Sequence, residues 1–183
     1  MIAIIACWSD KGKNISEIVT KLWYENEILD MDLCDKKNNF THYDALILSW
    51  PPKAKDIKNI ESITDRFSCI RDLDIPILAA GFWHVLIGHL YGSTFKPWES
   101  ITGPNKIGIV NRGEKLFRSI RKKIFYEEHS SEITLAKDFR LLAYSNSCQN
   151  EAMKHVDKDI YSVQFYPELS GSAWVKIIEN FLD

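Results

Sequence analysis

A thiolate that attacks, an imidazole that takes its proton and a carboxylate that orients the imidazole together make an amide hydrolase. The residue types are present: four cysteines (Cys7, Cys34, Cys69, Cys148) and five histidines (His42, His84, His89, His129, His155) in 183 residues. Their placement decides what they can do. The stretch "IPILAAGFWHVLIGHLYG", residues 75–92, reads as a buried strand, a sharp turn and a helix, which is how several α/β enzymes present a nucleophile. At the apex stands Gly81, which has no side chain with which to attack. Cys7 ends the first strand near the same edge, His84 follows the turn, and His129 sits in a polar loop, so these three could rebuild a thiol site. Each also has a plainer reading: Cys7 as a small core residue, His84 as a packing or helix-terminal group, His129 as a solvated loop residue or a remnant of partner contact. Cys69 fits a buried helix face and Cys148 a turn between strands.

Other chemistries find less support. The histidines and cysteines form no compact metal-ligand spacing, so no metal is expected. "SDKGKN" lacks the glycine pattern of a phosphate loop, and "GPNKIG" precedes a strand rather than a helix, so no nucleotide cofactor is expected either. Lysine plus arginine total 23 against 25 aspartate plus glutamate, and a net charge of −2 offers no broad positive field for nucleic acid. No apolar run approaches the roughly 20 residues that cross a bilayer. With no C-x-x-C pair and no signal-peptide pattern ahead of "MIAIIAC", a reducing cytoplasm is the expected compartment and no membrane association is expected.

The elements that would position these residues follow from apolar patterning. A composition of 45% hydrophobic and 26% charged residues suits a globular domain with a continuous core. "IAIIAC" (2–7), "YDALILS" (43–49) and "IPILAA" (75–80) are unbroken apolar runs of the kind covered on both faces, and "EILDMDL" is a short alternating strand. Between them, Ile15, Ile18, Leu22 and Trp23 repeat at helical spacing, as do Ile57, Ile60, Phe67 and Ile70. Strands separated by helices imply a mostly parallel sheet with helices on both faces, a three-layer Rossmann-like, flavodoxin-like α/β architecture. The shorter pieces "KIGIV", "KKIFYE", "RLLAYS" and "DIYSVQFY" complete or flank that sheet, and "SAWVKIIENFL" closes the chain as a helix. No linker or repeat divides it, so residues 1–183 are expected to form one domain. Ligands in such folds sit at the carboxyl ends of the strands, where Trp8, Trp50 and Trp83 fall; they suit core packing, an aromatic-filled vestigial pocket or a live ligand site.

Three segments, in order, carry a resemblance to the class I glutamine amidotransferases, and within them to the stand-alone glutaminase subunits of archaeal GMP synthetase. "LSWPP" resembles Leu-Ser-Gly-Gly-Pro, "PILAAGFWHVLIG" resembles Pro-Ile-Leu-Gly-Ile-Cys-Leu-Gly-His-Gln-Leu-Ile-Ala, and "YSVQFYPELS" resembles Gly-Val-Gln-Phe-His-Pro-Glu-Val-Ser. "EEHSSEI" resembles a substrate-facing loop, and "LLAYSNSCQNEAMKH" the stretch before the last catalytic strand. The resemblance implies the family's fold over nearly the whole chain.

Carried over by position, it places the nucleophile at Gly81, the base at Tyr166 and the orienting carboxylate at Glu168, so only the last keeps its chemistry. Tyrosine, with an ordinary pKa near 10, is a poor base at neutral pH. Of the two oxyanion positions, Pro51 has no N–H, leaving Phe82. Trp50, Trp83, His84 and His129 would line a vestigial or ligand-binding pocket, with Trp83 expected in space that holds glutamine in active relatives. The implied protein is inactive on glutamine and serves as a binding or regulatory module. Its partner would resemble an ammonia-consuming synthetase subunit, or it would take a small ligand. Lys53, Lys55, Glu127, Glu128 and His129 are the exposed residues expected at that docking face. An amidotransferase or amide hydrolase with a rebuilt site, and a chiefly structural remnant of the family, are the alternatives.

Overall fold

The computed structural model describes residues 1–6, 9–31, 34, 39–49, 60–111, 113–121, 123–166 and 169–183. Five parallel strands form the body of the main sheet: β1 (Ile2–Ala6), β2 (Asn26–Asp30), β3 (Ala45–Ser49), β4 (Ile77–Ala80) and β10 (Ile160–Val163). β9 (Ala152–His155), β8 (Phe139–Tyr144) and β6 (Gly108–Ile109) extend it by antiparallel pairing, giving the order β2-β1-β3-β4-β10-β9-β8-β6.

The apolar runs are buried on both faces because successive side chains point opposite ways. Ile2, Ile4, Ala45, Ile47, Leu78 and Ala80 face one core, where α1 (Ser9–Lys21) and α4 (Ser172–Leu182) supply Ile15, Val19, Trp174, Ile177 and Phe181. Ala3, Ile5, Leu46, Leu48, Ile77 and Ala79 face the other, where α2 (Ile60–Arg66) and α3 (Phe82–Leu90) supply Ile63, Trp83, Leu86 and Leu90. The three-layer α/β architecture read from the patterning is therefore the fold.

One local expectation needs correction. Trp23 is 95% exposed at φ 68, because α1 ends at Lys21 and the chain reverses there instead of carrying the helical face onward. The strand around "KKIFYE" flanks the main sheet, one of the two placements expected of it: β7 (Ile124–Ile133) pairs antiparallel with β5 (Phe95–Lys106) in a separate two-stranded ribbon. Phe125 of β7 packs in one core and Ile133 in the other, so this ribbon joins the two faces of the sheet. Ile57 of the predicted second helix lies outside the described residues.

Candidate functional site

The register of the parallel strands builds the elbow. Ala80 stands opposite Val163, and the Gly81 N–H donates to the Val163 carbonyl at 2.9 Å, which fixes the turn against the end of β10. Gly81 then adopts φ 61, ψ −121, a conformation that side chains resist and glycine enters freely, and α3 starts at Phe82. The Gly81 carbonyl accepts the His84 N–H at 2.9 Å, closing the first turn. Phe82, as the first helical residue, carries an N–H without an intrahelical acceptor.

Tyr166 fills the space over this apex. A Cβ placed on Gly81 would lie 2.5 Å from Tyr166 Cε1, 2.6 Å from Cζ and 2.8 Å from Oη. The tyrosine is pinned from both sides: its N–H donates to the Tyr126 carbonyl at 2.8 Å, and its own carbonyl accepts from Ser170 Oγ at 3.0 Å. Ser170 Oγ in turn accepts the Tyr126 N–H at 2.9 Å, so β7 and the segment after β10 form one hydrogen-bonded unit.

Trp83 is fully buried, edge-on to Phe67 with ring centroids 4.8 Å apart, and its indole N–H donates to the Ser49 carbonyl at 3.3 Å. It belongs to the core beside α2, while the crowding over Gly81 comes from Tyr166. Phe82 borders a cavity of about 310 Å³ that Val85, His89, Phe95 and Ile133 also line. Trp8, Trp50, Pro51, Lys53, Lys55, Cys7 and Glu168 lie outside the described residues.

His84 points into the protein. Its Nε2–H donates to the Asn150 carbonyl at 3.0 Å, and Nδ1 accepts from Ser162 Oγ at 2.9 Å. Burial lowers its pKa to about 3, so the ring is neutral at physiological pH and both nitrogens are engaged. Cys148 is buried, with its thiol pushed up by burial and then by the Glu151 carboxylate, conditions that oppose a thiolate.

The docking-face expectation is corrected at two residues. Alternation along β7 sends Glu127 and His129 to the same inward face, where their side chains are 0% and 5% exposed, and leaves only Glu128 of the three outside. His129 Nε2 lies 3.3 Å from Glu127 Oε2, and Nδ1 lies 3.1 Å from the Ser131 carbonyl. Asn105 Nδ2 donates to Glu127 Oε2 at 3.0 Å and to Ser147 Oγ at 2.7 Å. Buried Glu151 completes the group, and one ligand atom from each of Glu127, His129 and Glu151 lies within 4.8 Å of the others. Burial, then the Glu127 charge, raises the Glu151 pKa to about 8. Spacing of histidines and cysteines alone misses this grouping; the Glu-x-His alternation on a strand is its local signal, and Glu151 joins only in three dimensions.

The family profile described as "Glutamine amidotransferase class-I" matches residues 4–183. The chain belongs to the class I glutamine amidotransferase family. Among the relatives of this amidotransferase-family chain, a protein of Methanosphaera stadtmanae named as a subunit of glutamine-hydrolysing GMP synthase is 30% identical over 184 residues, covering 98% of this chain and 95% of the relative. The protein of the same description in Methanobrevibacter smithii is 34% identical over 146 residues, covering 76% and 72%. In three dimensions the chain resembles a candidate GMP synthase subunit of Thermoplasma acidophilum, with TM-score 0.81 at 23% identity, covering 100% of this chain and 92% of the other. A glutamine amidotransferase of Thermotoga maritima superposes with TM-score 0.70 at 14% identity, covering 100% and 82%. Both structural likenesses speak to the fold. Among the described residues no helix is long and apolar enough to cross a membrane.

Proposed function

We propose that this amidotransferase-family chain, as one domain over residues 1–183, does not hydrolyse glutamine and acts as a binding or regulatory module in the cytoplasm. The observation that carries the reading is the Tyr166 ring standing 2.5–2.8 Å from where a Gly81 side chain would begin. A nucleophile has neither an atom to act through nor room to be placed. The base position holds a phenol, and the oxyanion position at Pro51 lacks an N–H, so the losses agree with one another. Among the described thiols, Cys148 is held in its protonated form, which weighs against a rebuilt thiol site.

The relatives named as subunits of a glutamine-hydrolysing GMP synthase supply the partner reading. The partner is an ammonia-consuming synthetase subunit, met at the face around the elbow; a small ligand in the cavity beside Phe82 is the other occupant considered. The test is co-elution of the purified chain with a recombinant synthetase subunit in size-exclusion chromatography. A shared peak, shifted from both free proteins, supports the module. Two unshifted peaks across a range of concentrations refute the partner.

A further inference from the structure

Both oxygens of Glu151 and Oε1 of Glu127 are buried without a well-formed hydrogen bond, on residues that are each 0% exposed, and the side chains that act on Glu151 are Ser145 and Glu127 itself. Buried carboxylates ordinarily find donors or a cation, because an ionised oxygen removed from water without either is costly. Here one ligand atom from each of Glu127, Glu151 and His129 lies within 4.8 Å of the others. We propose that Glu127, His129 and Glu151 bind one divalent first-row metal ion of the zinc type.

The spacing fits. Ligands around a tetrahedral ion at 2.0–2.2 Å stand roughly 3.3–3.6 Å apart, and His129 Nε2 lies 3.3 Å from Glu127 Oε2. The whole set lies within 4.8 Å and closes on an ion with a small inward movement of its side chains. The surroundings fit as well. His129 Nδ1–H donating to the Ser131 carbonyl fixes the tautomer that offers the Nε2 lone pair inward. Nε2 lies against a carboxylate oxygen, and a cation standing between the two would take a bond from each in place of a shared proton. The Asn105 amide orients the Glu127 carboxylate from behind, as outer partners of ligating carboxylates do. An ion would displace the proton that the raised pKa leaves on Glu151, after which two carboxylates offset a divalent charge, and the imidazole favours zinc or iron over calcium or magnesium. Glu132, also buried, has its own partners: it accepts the Gln149 N–H at 3.0 Å and stands 3.8 Å from Lys96 Nζ. The group joins β7 to the turn before β9, at the end of β10, the strand paired with the elbow strand β4, since the Glu151 carbonyl accepts the Gln164 N–H at 2.7 Å. A bound ion would thus brace the ribbon against the main sheet, independently of any glutamine chemistry.

The experiment strips the full chain with a chelator, adds Zn²⁺, dialyses against metal-free buffer and measures retained metal by mass spectrometry, with Co²⁺ absorption as the coordination probe. The expected result is about one zinc per chain, a raised thermal midpoint, and cobalt bands that change in His129→Gln; ligand loss should weaken binding by at least roughly tenfold, the effect that even an outer partner produces. His42→Gln, His89→Gln and His155→Gln serve as controls and should retain the metal. Glu151→Gln, nearly isosteric, repeats the test should His129→Gln fail to fold. Retention well below stoichiometry in the wild-type chain, or metal lost in the controls and kept in His129→Gln and Glu151→Gln, overturns the site; protons shared among the three groups would then hold it together.

Discussion

Replacing Gly81 by alanine tests the elbow with one methyl group. Its Cβ would meet Tyr166 Cε1 at 2.5 Å and Cζ at 2.6 Å, where carbon pairs prefer about 3.5–4.0 Å, so the ring must retreat by roughly 1 Å. Overpacking of that kind costs about 1–3 kcal/mol. A side chain held at φ 61, ψ −121 adds roughly another 1–3 kcal/mol of backbone strain. Gly81→Ala should therefore destabilise the fold by about 2–6 kcal/mol, a large part of the total stability of a typical domain. The partner substitution separates the two causes. Tyr166→Ala removes the ring, and the double variant should be less destabilised than the sum of the singles by the overpacking share, about 1–3 kcal/mol. Tyr166→Phe removes only Oη and keeps both clashing carbons, so its double variant should show little coupling. Urea titrations followed by circular dichroism supply every leg of the two cycles. Additivity with Tyr166→Ala, or a Gly81→Ala cost under roughly 0.5 kcal/mol, would refute the packing argument.

Gly81→Cys with Tyr166→His should restore little glutaminase activity, since Pro51 still lacks an oxyanion N–H, a loss of roughly 2.7–4 kcal/mol in a comparable site; adding Trp50→Gly and Pro51→Gly is needed for detectable ammonia release, and strong activity in the two-site variant, with both variants folded by circular dichroism, would contradict this. A glutamine-directed, thiol-reactive label should leave the chain unmodified in a glutamine-protectable manner, and saturable labelling of Cys7 or another cysteine on peptide mapping would point to a rebuilt site. His84, with a folded pKa of about 3 against 6.5 unfolded, is protonated more in the unfolded chain between those values, so its contribution is intact above pH 6.5 and falls as pH drops towards 3. The slope of stability between pH 6 and 4 should be shallower in His84→Gln than in the wild type by about 1.4 kcal/mol per pH unit, and equal slopes would refute the buried neutral ring.

The parallel body of the fold was legible because β1, β3 and β4 are apolar without interruption, a pattern that only coverage on both faces explains. The ribbon was not: "FKPWESITGPNK" contains two prolines and no alternation, yet β5 pairs with β7 on both sides of a break in register between Pro97 and Ile101. Charged Glu127 and His129 read as surface residues since charge usually means exposure, and their inward face becomes visible only once β7 is known to join the two cores. The glycine at the elbow and the tyrosine after β10 could be read directly. That one fills the space over the other could not, because it depends on the β4–β10 register and the Tyr126–Tyr166 bridge. Trp23 read as core because hydrophobicity at helical spacing does not show where a helix stops.

The most direct measurement is steady-state ammonia release from glutamine by the purified chain, tested by itself and with a synthetase subunit, each against a heat-inactivated control. No release above that control is expected in either case. Turnover that follows the chain through purification, and disappears when a residue of this chain is substituted, would contradict the inactive elbow.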